Sequence, residues 1–157
     1  LGIEPSHSTA SEDKRKGIDT IEKFFGMQLA EELASDGYQA DLVIGNNILA
    51  HVPDINDFLR GVKQVMKPSG RAVFEFPHLL KLIQLRQFDT IYHEHLSYHS
   101  LIPLLTFFDN NDMAVIDCEE VDTHGGSLRV YATKNKDKKY NIKNTPTLYQ
   151  IGNFCIK

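Results

Sequence analysis

The sequence predicts an α/β fold in which a mostly parallel sheet is completed by an antiparallel hairpin. Three observations predict it. Short apolar runs of β-type composition alternate with stretches of helical periodicity in the first half of the chain. Two further β-type runs, Ala114–Val121 and Ser127–Thr133, lie close together near the end. Only Asp122-Thr123-His124-Gly125-Gly126 joins them. Strands separated by helices of this length imply βαβ units and a parallel sheet. A short glycine-rich link leaves room only for an antiparallel turn.

The elements follow in order. Residues 1–4 read as the end of a strand, and residues 8–16 as a short helix capped by Ser6 or Ser8. A weaker strand is expected at 18–25. Residues 28–35 carry Leu29, Ala30 and Leu33 on a helix that stops at Asp36-Gly37. A strand at 41–45 follows. Residues 54–67 place Ile55, Phe58, Val62, Val65 and Met66 at helical spacing, with Asp54 as cap and Pro68 and Gly70 as stops. Residues 70–76 form the next strand. Residues 78–88 carry a broad apolar face of Leu79, Leu80, Leu82, Ile83 and Leu85. Ser100 caps a helix at 101–111, where Pro103 fits the first turn. The hairpin ends the domain, taken as residues 1–133. From Lys134 the chain turns rich in lysine and asparagine, with one apolar patch at 148–154. This tail reads as a linker and the start of a further domain. The chain opens on Leu1 at the end of a strand, so it is expected to be a piece of a longer protein.

Composition narrows the function. Of the 157 residues, 41% are hydrophobic and 24% charged, as in ordinary globular proteins. A net charge of -4 leaves no basic surplus for nucleic acid or an acidic membrane surface. No apolar run has the length of a membrane span. Cys118 and Cys155 are far apart, which suggests a reducing compartment, the cytoplasm, without a disulfide framework or cysteine metal site.

Four segments carry candidate chemistry. Glu4, followed by Pro5, ends a strand, where a carboxylate can accept hydrogen bonds from both hydroxyls of a ribose. The alternative is a solvated strand end. Asn46, Asn47 and His51 follow the strand at 41–45, and ligands of open α/β sheets bind beyond the carboxyl ends of strands. An Asx turn would also account for the asparagines. The densest cluster is Tyr92-His93-Glu94-His95-Leu96-Ser97-Tyr98-His99. His95 and His99 share a helix face in principle, but the His-Glu-x-x-His order of zinc proteases is absent and no metal is predicted. A histidine with a pKa near about 6.5 suits general base work. In an extended segment His93 and His95 point to the same side, so spacing does not choose between them. In His124-Gly125-Gly126-Ser127-Leu128-Arg129 the glycines allow close backbone approach, and Arg129 suits a phosphate or carboxylate. A tight turn alone would also explain the glycines.

Together, NNILAHVPDINDF (46–58), EFPHL (75–79), QFDTIYHEHLSYHS (87–100) and THGGSLRVY (123–131) closely resemble signature stretches of S-adenosylmethionine-dependent sugar C-methyltransferases. The resemblance covers residues 1–133. It implies a Rossmann-like class I methyltransferase sheet whose first strand lies outside this chain. It further implies a reaction: a methyl group goes to a carbon beside a ketone of a nucleotide-linked deoxysugar, through a base-generated enolate. By the same resemblance, Glu4 and Pro5 meet the cofactor ribose, and Asn46 and Asn47 border its methionine part. His95 is the base, with Tyr92, Glu94 and His51 around the sugar. His78, His93, Ser127 and Arg129 are taken as substrate-side residues. Family members carry a zinc-binding N-terminal domain, a glycine-rich cofactor loop and a C-terminal domain, none of which is complete here. Zinc is therefore expected only outside this chain.

Two other classes remain as alternatives. An O- or N-methyltransferase of a small metabolite would share the fold without needing a base. A non-catalytic nucleotide-sugar binding domain would need no histidine cluster. A Rossmann oxidoreductase is disfavoured because no GxGxxG is present.

Overall fold

The computed structural model describes residues 1–134. The expected tail from residue 135 onward lies outside the described residues. Two sheets form. β1 (Gly2–Ile3) pairs in parallel with β2 (Thr20–Ile21), and α1 (His7–Arg15) connects them. The strand expected at 18–25 is thus only two residues long, because Lys23 onward turns toward α2 (Met27–Ser35).

The larger sheet has four strands: β3 (Ala40–Asn46), β4 (Met66–Pro77), β5 (Ala114–Val121) and β6 (Ser127–Thr133). Their spatial order is β3-β4-β6-β5. β3 and β4 are parallel, joined through α3 (Ile55–Val65), while β6 runs antiparallel to both neighbours. The hairpin therefore does not simply extend the sheet. Its second strand inserts between β4 and β5.

The cap at Asp54 forms as expected, its side chain accepting the Asp57 N–H at 2.9 Å. Helix α3 stops sooner than its periodicity suggests, since Met66 already pairs with Ala40 in the sheet. Asp57 has a second role, its Oδ2 accepting the N–H of Met27 at the start of α2. Gly61 lets the two helices touch, because a Cβ there would lie 2.8 Å from the Gly26 carbonyl oxygen.

One core sits between the sheet and the helices α3 and α4 (Leu101–Asn110). Phe58, Leu59, Val62, Leu104 and Phe108 meet Phe74, Phe76, Leu128, Val130 and Val115 there. A second cluster of Leu29, Ala30, Leu33 and Val65 is shared by Ile3, Ile21 and Val43, so α2 ties the two sheets together. The opposite face of β3 carries exposed Leu42 and Ile44. Cys118 is buried in the core, and burial pushes its thiol up to about 11, well outside reactive thiolate range. Among the described residues no helix is long and apolar enough to cross a membrane.

Candidate functional site

Asn46, Asn47, His51 and the cluster at 92–99 gather at and beyond the carboxyl ends of β3 and β4 in the larger sheet. β3 ends at Asn46, and Asn47 turns away in a left-handed conformation (φ 54°). Its N–H donates to the Glu75 carbonyl of β4 at 2.7 Å. A short 3-10 turn, Leu49–His51, follows. That turn is the platform for the histidine cluster: the Ala50 carbonyl accepts the N–H groups of Leu96 and Ser97, and the Leu49 carbonyl accepts the Ser97 hydroxyl. His51 adds a fourth tie, its Nδ1 donating to the Glu94 carbonyl at 2.9 Å.

His95 is held at both ring nitrogens. Nδ1 lies 2.7 Å from the Thr90 carbonyl, and Nε2 lies 3.0 Å from the Tyr92 hydroxyl. A carbonyl can only accept, so Nδ1 carries the proton and Nε2 keeps its lone pair for the Tyr92 O–H. Tyr92 stacks on the ring at 4.2 Å, Tyr98 meets it edge-on, and the His51 ring lies 4.9 Å away. A cleft beside it is lined by Ala50, Phe76, Thr90, Ser97 and His99.

The segment is not extended, as the alternating reading of residues 92–95 assumed. The His95 N–H returns to the Tyr92 carbonyl at 3.1 Å, so the chain turns and brings Tyr92 and His95 together. His93 is left 91% exposed, its ring 4.0 Å from the Glu94 carboxylate, which is itself largely exposed. His99 lies inward, its Nε2 on the Ser97 hydroxyl and its ring against Phe76. Burial holds its pKa below the ordinary histidine value, with a weaker opposing pull from the Leu49 backbone.

Three residues expected on the substrate side are buried or already partnered within the protein. Ser127 is fully buried, and its hydroxyl donates to the Thr123 carbonyl at 3.0 Å. His78 is 2% exposed behind the end of β4, with burial lowering its pKa against the pull of Glu120. Arg129 already faces two carboxylates: Nε and Nη2 donate to Glu75 at 3.0 and 2.8 Å, and Nη1 donates to Glu119 at 3.0 Å. Two carboxylates of the protein thus already balance its charge.

Glu75 was not singled out from the sequence, although a lone acid in the apolar run RAVFEF is an available signal. It is 6% exposed, and Thr123 and then Arg129 hold its carboxyl below the usual range, ionised. Thr90 was also overlooked, because it acts only through its main-chain carbonyl.

The residues expected to meet the cofactor stand at or just beyond strand ends. Glu4 follows β1, and its Oε1 accepts the Ser6 N–H at 2.7 Å. Asn47 Nδ2 contacts His124 Nε2 at 3.1 Å, while Asn47 Oδ1 is buried without a partner. An orphaned buried acceptor beside a strand end fits a ligand that brings a donor. Among the described residues no group of three or more His, Cys, Asp or Glu is placed to hold a metal ion.

Comparisons with known proteins bear on this arrangement. Residues 1–74 match the family model described as a methyltransferase domain. The chain is 39% identical over 132 residues to the C-methyltransferase NovU of Streptomyces niveus, covering 84% of this chain and 31% of that protein. It thus spans about a third of the length of this relative. Among solved structures it is similar to the magnesium protoporphyrin IX methyltransferase of Synechocystis PCC 6803 with bound SAH. There the TM-score is 0.62 at 15% identity, over 85% of this chain and 63% of that one. A methyltransferase from Thermotoga maritima gives a TM-score of 0.64 at 14% identity, over 86% and 73% of the two chains. The fold is that of the class I S-adenosylmethionine-dependent methyltransferases.

Proposed function

We propose that this chain is the greater part of the methyltransferase domain of an S-adenosylmethionine-dependent C-methyltransferase, acting on a carbon beside a ketone of a nucleotide-linked deoxysugar. The observation that carries the reading is His95, pinned between the Thr90 carbonyl and the Tyr92 hydroxyl at the carboxyl rim. The likeness to NovU supports methyl transfer to carbon, and the signature stretches support the sugar.

When bound, the cofactor supplies an electrophilic methyl group. Glu4, with Pro5 beside it, would hold the ribose hydroxyls, and Asn46 and Asn47 would border the methionine end. The chain's own work is on the proton. A C–H beside a ketone is acidic enough for a positioned base once the enolate is stabilised. The proton ends on His95 Nε2, relayed by the Tyr92 hydroxyl that already occupies that lone pair. Thr90 fixes the tautomer that makes Nε2 basic. The largely exposed Glu94 carboxylate takes a sugar hydroxyl, and its main chain orients His51. His51 stands against the His95 ring and completes the wall around the sugar. Much of the remaining catalysis is positioning of the carbanion for in-line attack.

The test is exchange of the ring proton into D2O without methyl transfer, on the intact enzyme with a keto-sugar nucleotide. Exchange by the wild type that is lost in His95→Asn supports the reading. A wild-type enzyme that methylates oxygen or nitrogen and exchanges no carbon-bound proton overturns it.

A further inference from the structure

The turn between β5 and β6 has no part in the proton chemistry, yet it is built with care. His124, Gly125 and Gly126 all have positive φ, at 50°, 75° and 112°. Glycine adopts such angles freely, whereas histidine does so only where its surroundings hold it. The holding group is Glu75. Its Oε1 accepts the Thr123 hydroxyl at 2.7 Å, and Arg129 fixes the other oxygen at 2.8 Å. Next to Thr123, His124 then reaches across 77 residues of sequence to Asn47, Nε2 to Nδ2 at 3.1 Å.

Asn47 is also left-handed, and it too is referenced to Glu75, through the 2.7 Å bond from its N–H to the Glu75 carbonyl. One buried residue therefore sets both sides of the Asn47–His124 contact, by its carboxylate on one side and its main chain on the other. The contact uses the amide nitrogen of Asn47 and so fixes which way the amide points. What remains is Asn47 Oδ1, buried and unpartnered. A buried acceptor of this kind calls for a donor, and a cationic donor makes the stronger bond.

We propose that His124 is a positioning residue that aims Asn47 Oδ1 at the ammonium group on the amino-acid end of the cofactor, with Glu75 setting the register of both. This rests on the reading that Asn47 borders the cofactor, and it adds the group recognised and the residues that orient it. Neither His124 nor Glu75 touches the reacting carbon.

Two probes isolate the effect, read by calorimetry on the intact enzyme. S-adenosylhomocysteine keeps the ammonium end, and 5′-methylthioadenosine lacks it. His124→Asn tolerates the left-handed φ but is too short to reach Asn47. It should weaken S-adenosylhomocysteine by about tenfold, the worth of one charge-assisted hydrogen bond, and leave 5′-methylthioadenosine unchanged. His124→Gln restores an acceptor of greater reach and should recover most of the loss. Glu75→Gln should show a smaller loss, about threefold, with the same selectivity between probes. Melting temperatures are measured alongside. If His124→Asn weakens both probes equally, or neither, while Asn47→Ala is selective for S-adenosylhomocysteine, the positioning role is wrong and the cofactor reading stands. If Asn47→Ala leaves S-adenosylhomocysteine binding unchanged, the cofactor reading of Asn47 fails and takes this inference with it.

Discussion

The hydroxyl of Tyr92 lies 3.0 Å from Nε2 of His95, on the lone pair that a general base would use. No substrate proton reaches that nitrogen in this geometry without displacing the phenol or passing through it. The relay makes a specific forecast. Tyr92→Phe should slow proton exchange nearly as much as His95→Asn, both by about 10²–10⁴. His93→Asn, whose ring is turned to solvent, should exchange at close to the wild-type rate. Exchange is followed by NMR in D2O. A Tyr92→Phe enzyme that exchanges normally would remove the relay and leave His95 acting directly.

On the smaller sheet, Glu4 after β1 should govern cofactor affinity. Losing a charged acceptor of two hydroxyls costs about 1.5–3 kcal/mol per bond. Glu4→Ala should therefore weaken S-adenosylmethionine by tenfold or more, with Glu4→Gln intermediate. Because Glu4 Oε1 also accepts the Ser6 N–H, the melting temperature must be compared in both variants. Calorimetry giving wild-type affinity for Glu4→Ala would remove Glu4 from the cofactor site.

Much of the fold was legible in the sequence because its signals are local. The helix at α3 announced itself by the Asp54 cap and the spacing of Phe58, Val62 and Val65, and all three are buried. The hairpin strands have the bounds their composition suggested. What was illegible depends on pairing between distant segments. Nothing local says that β6 inserts between β4 and β5, or that Met66 leaves the helical pattern to pair with Ala40. The candidate site divides in the same way. The cluster at 92–99 was visible as composition, but its turn, which joins Tyr92 to His95 and expels His93, is set by contacts with Leu49 and Ala50. Arg129 looked available because its partners, Glu75 and Glu119, lie 54 and 10 residues away.

Arg129 yields the third forecast. Replacing it with Met strips the charged partner from a carboxylate that is almost fully buried. Breaking such a pair costs about 2 kcal/mol or more. Arg129→Met should lower the melting temperature by several degrees while leaving affinity for a sugar nucleotide within about twofold. A large loss of nucleotide affinity at unchanged stability would return Arg129 to the substrate.

Finally, the buried histidines give the domain a defined acid sensitivity. His99 and His78 both have pKa values lowered chiefly by burial. The unfolded chain, with histidine near about 6.5, binds protons that the folded state refuses. Their contribution is therefore complete above about pH 6.5 and shrinks as pH falls from there toward the lowered folded values. Glu75 and Glu119 do not blur this window, since hydrogen bonds from Thr123 and Tyr131, each joined by Arg129, hold their carboxyls below the usual carboxylate range. Melting temperature followed from pH 8 to pH 5 should hold steady and then fall, by about 3 °C for each kcal/mol lost. His99→Gln keeps a hydrogen-bonding group for Ser97 and cannot titrate, so its fall should be shallower, with His78 supplying the remainder. If the variant and the wild type fall in parallel, His99 is not the acid-sensitive group.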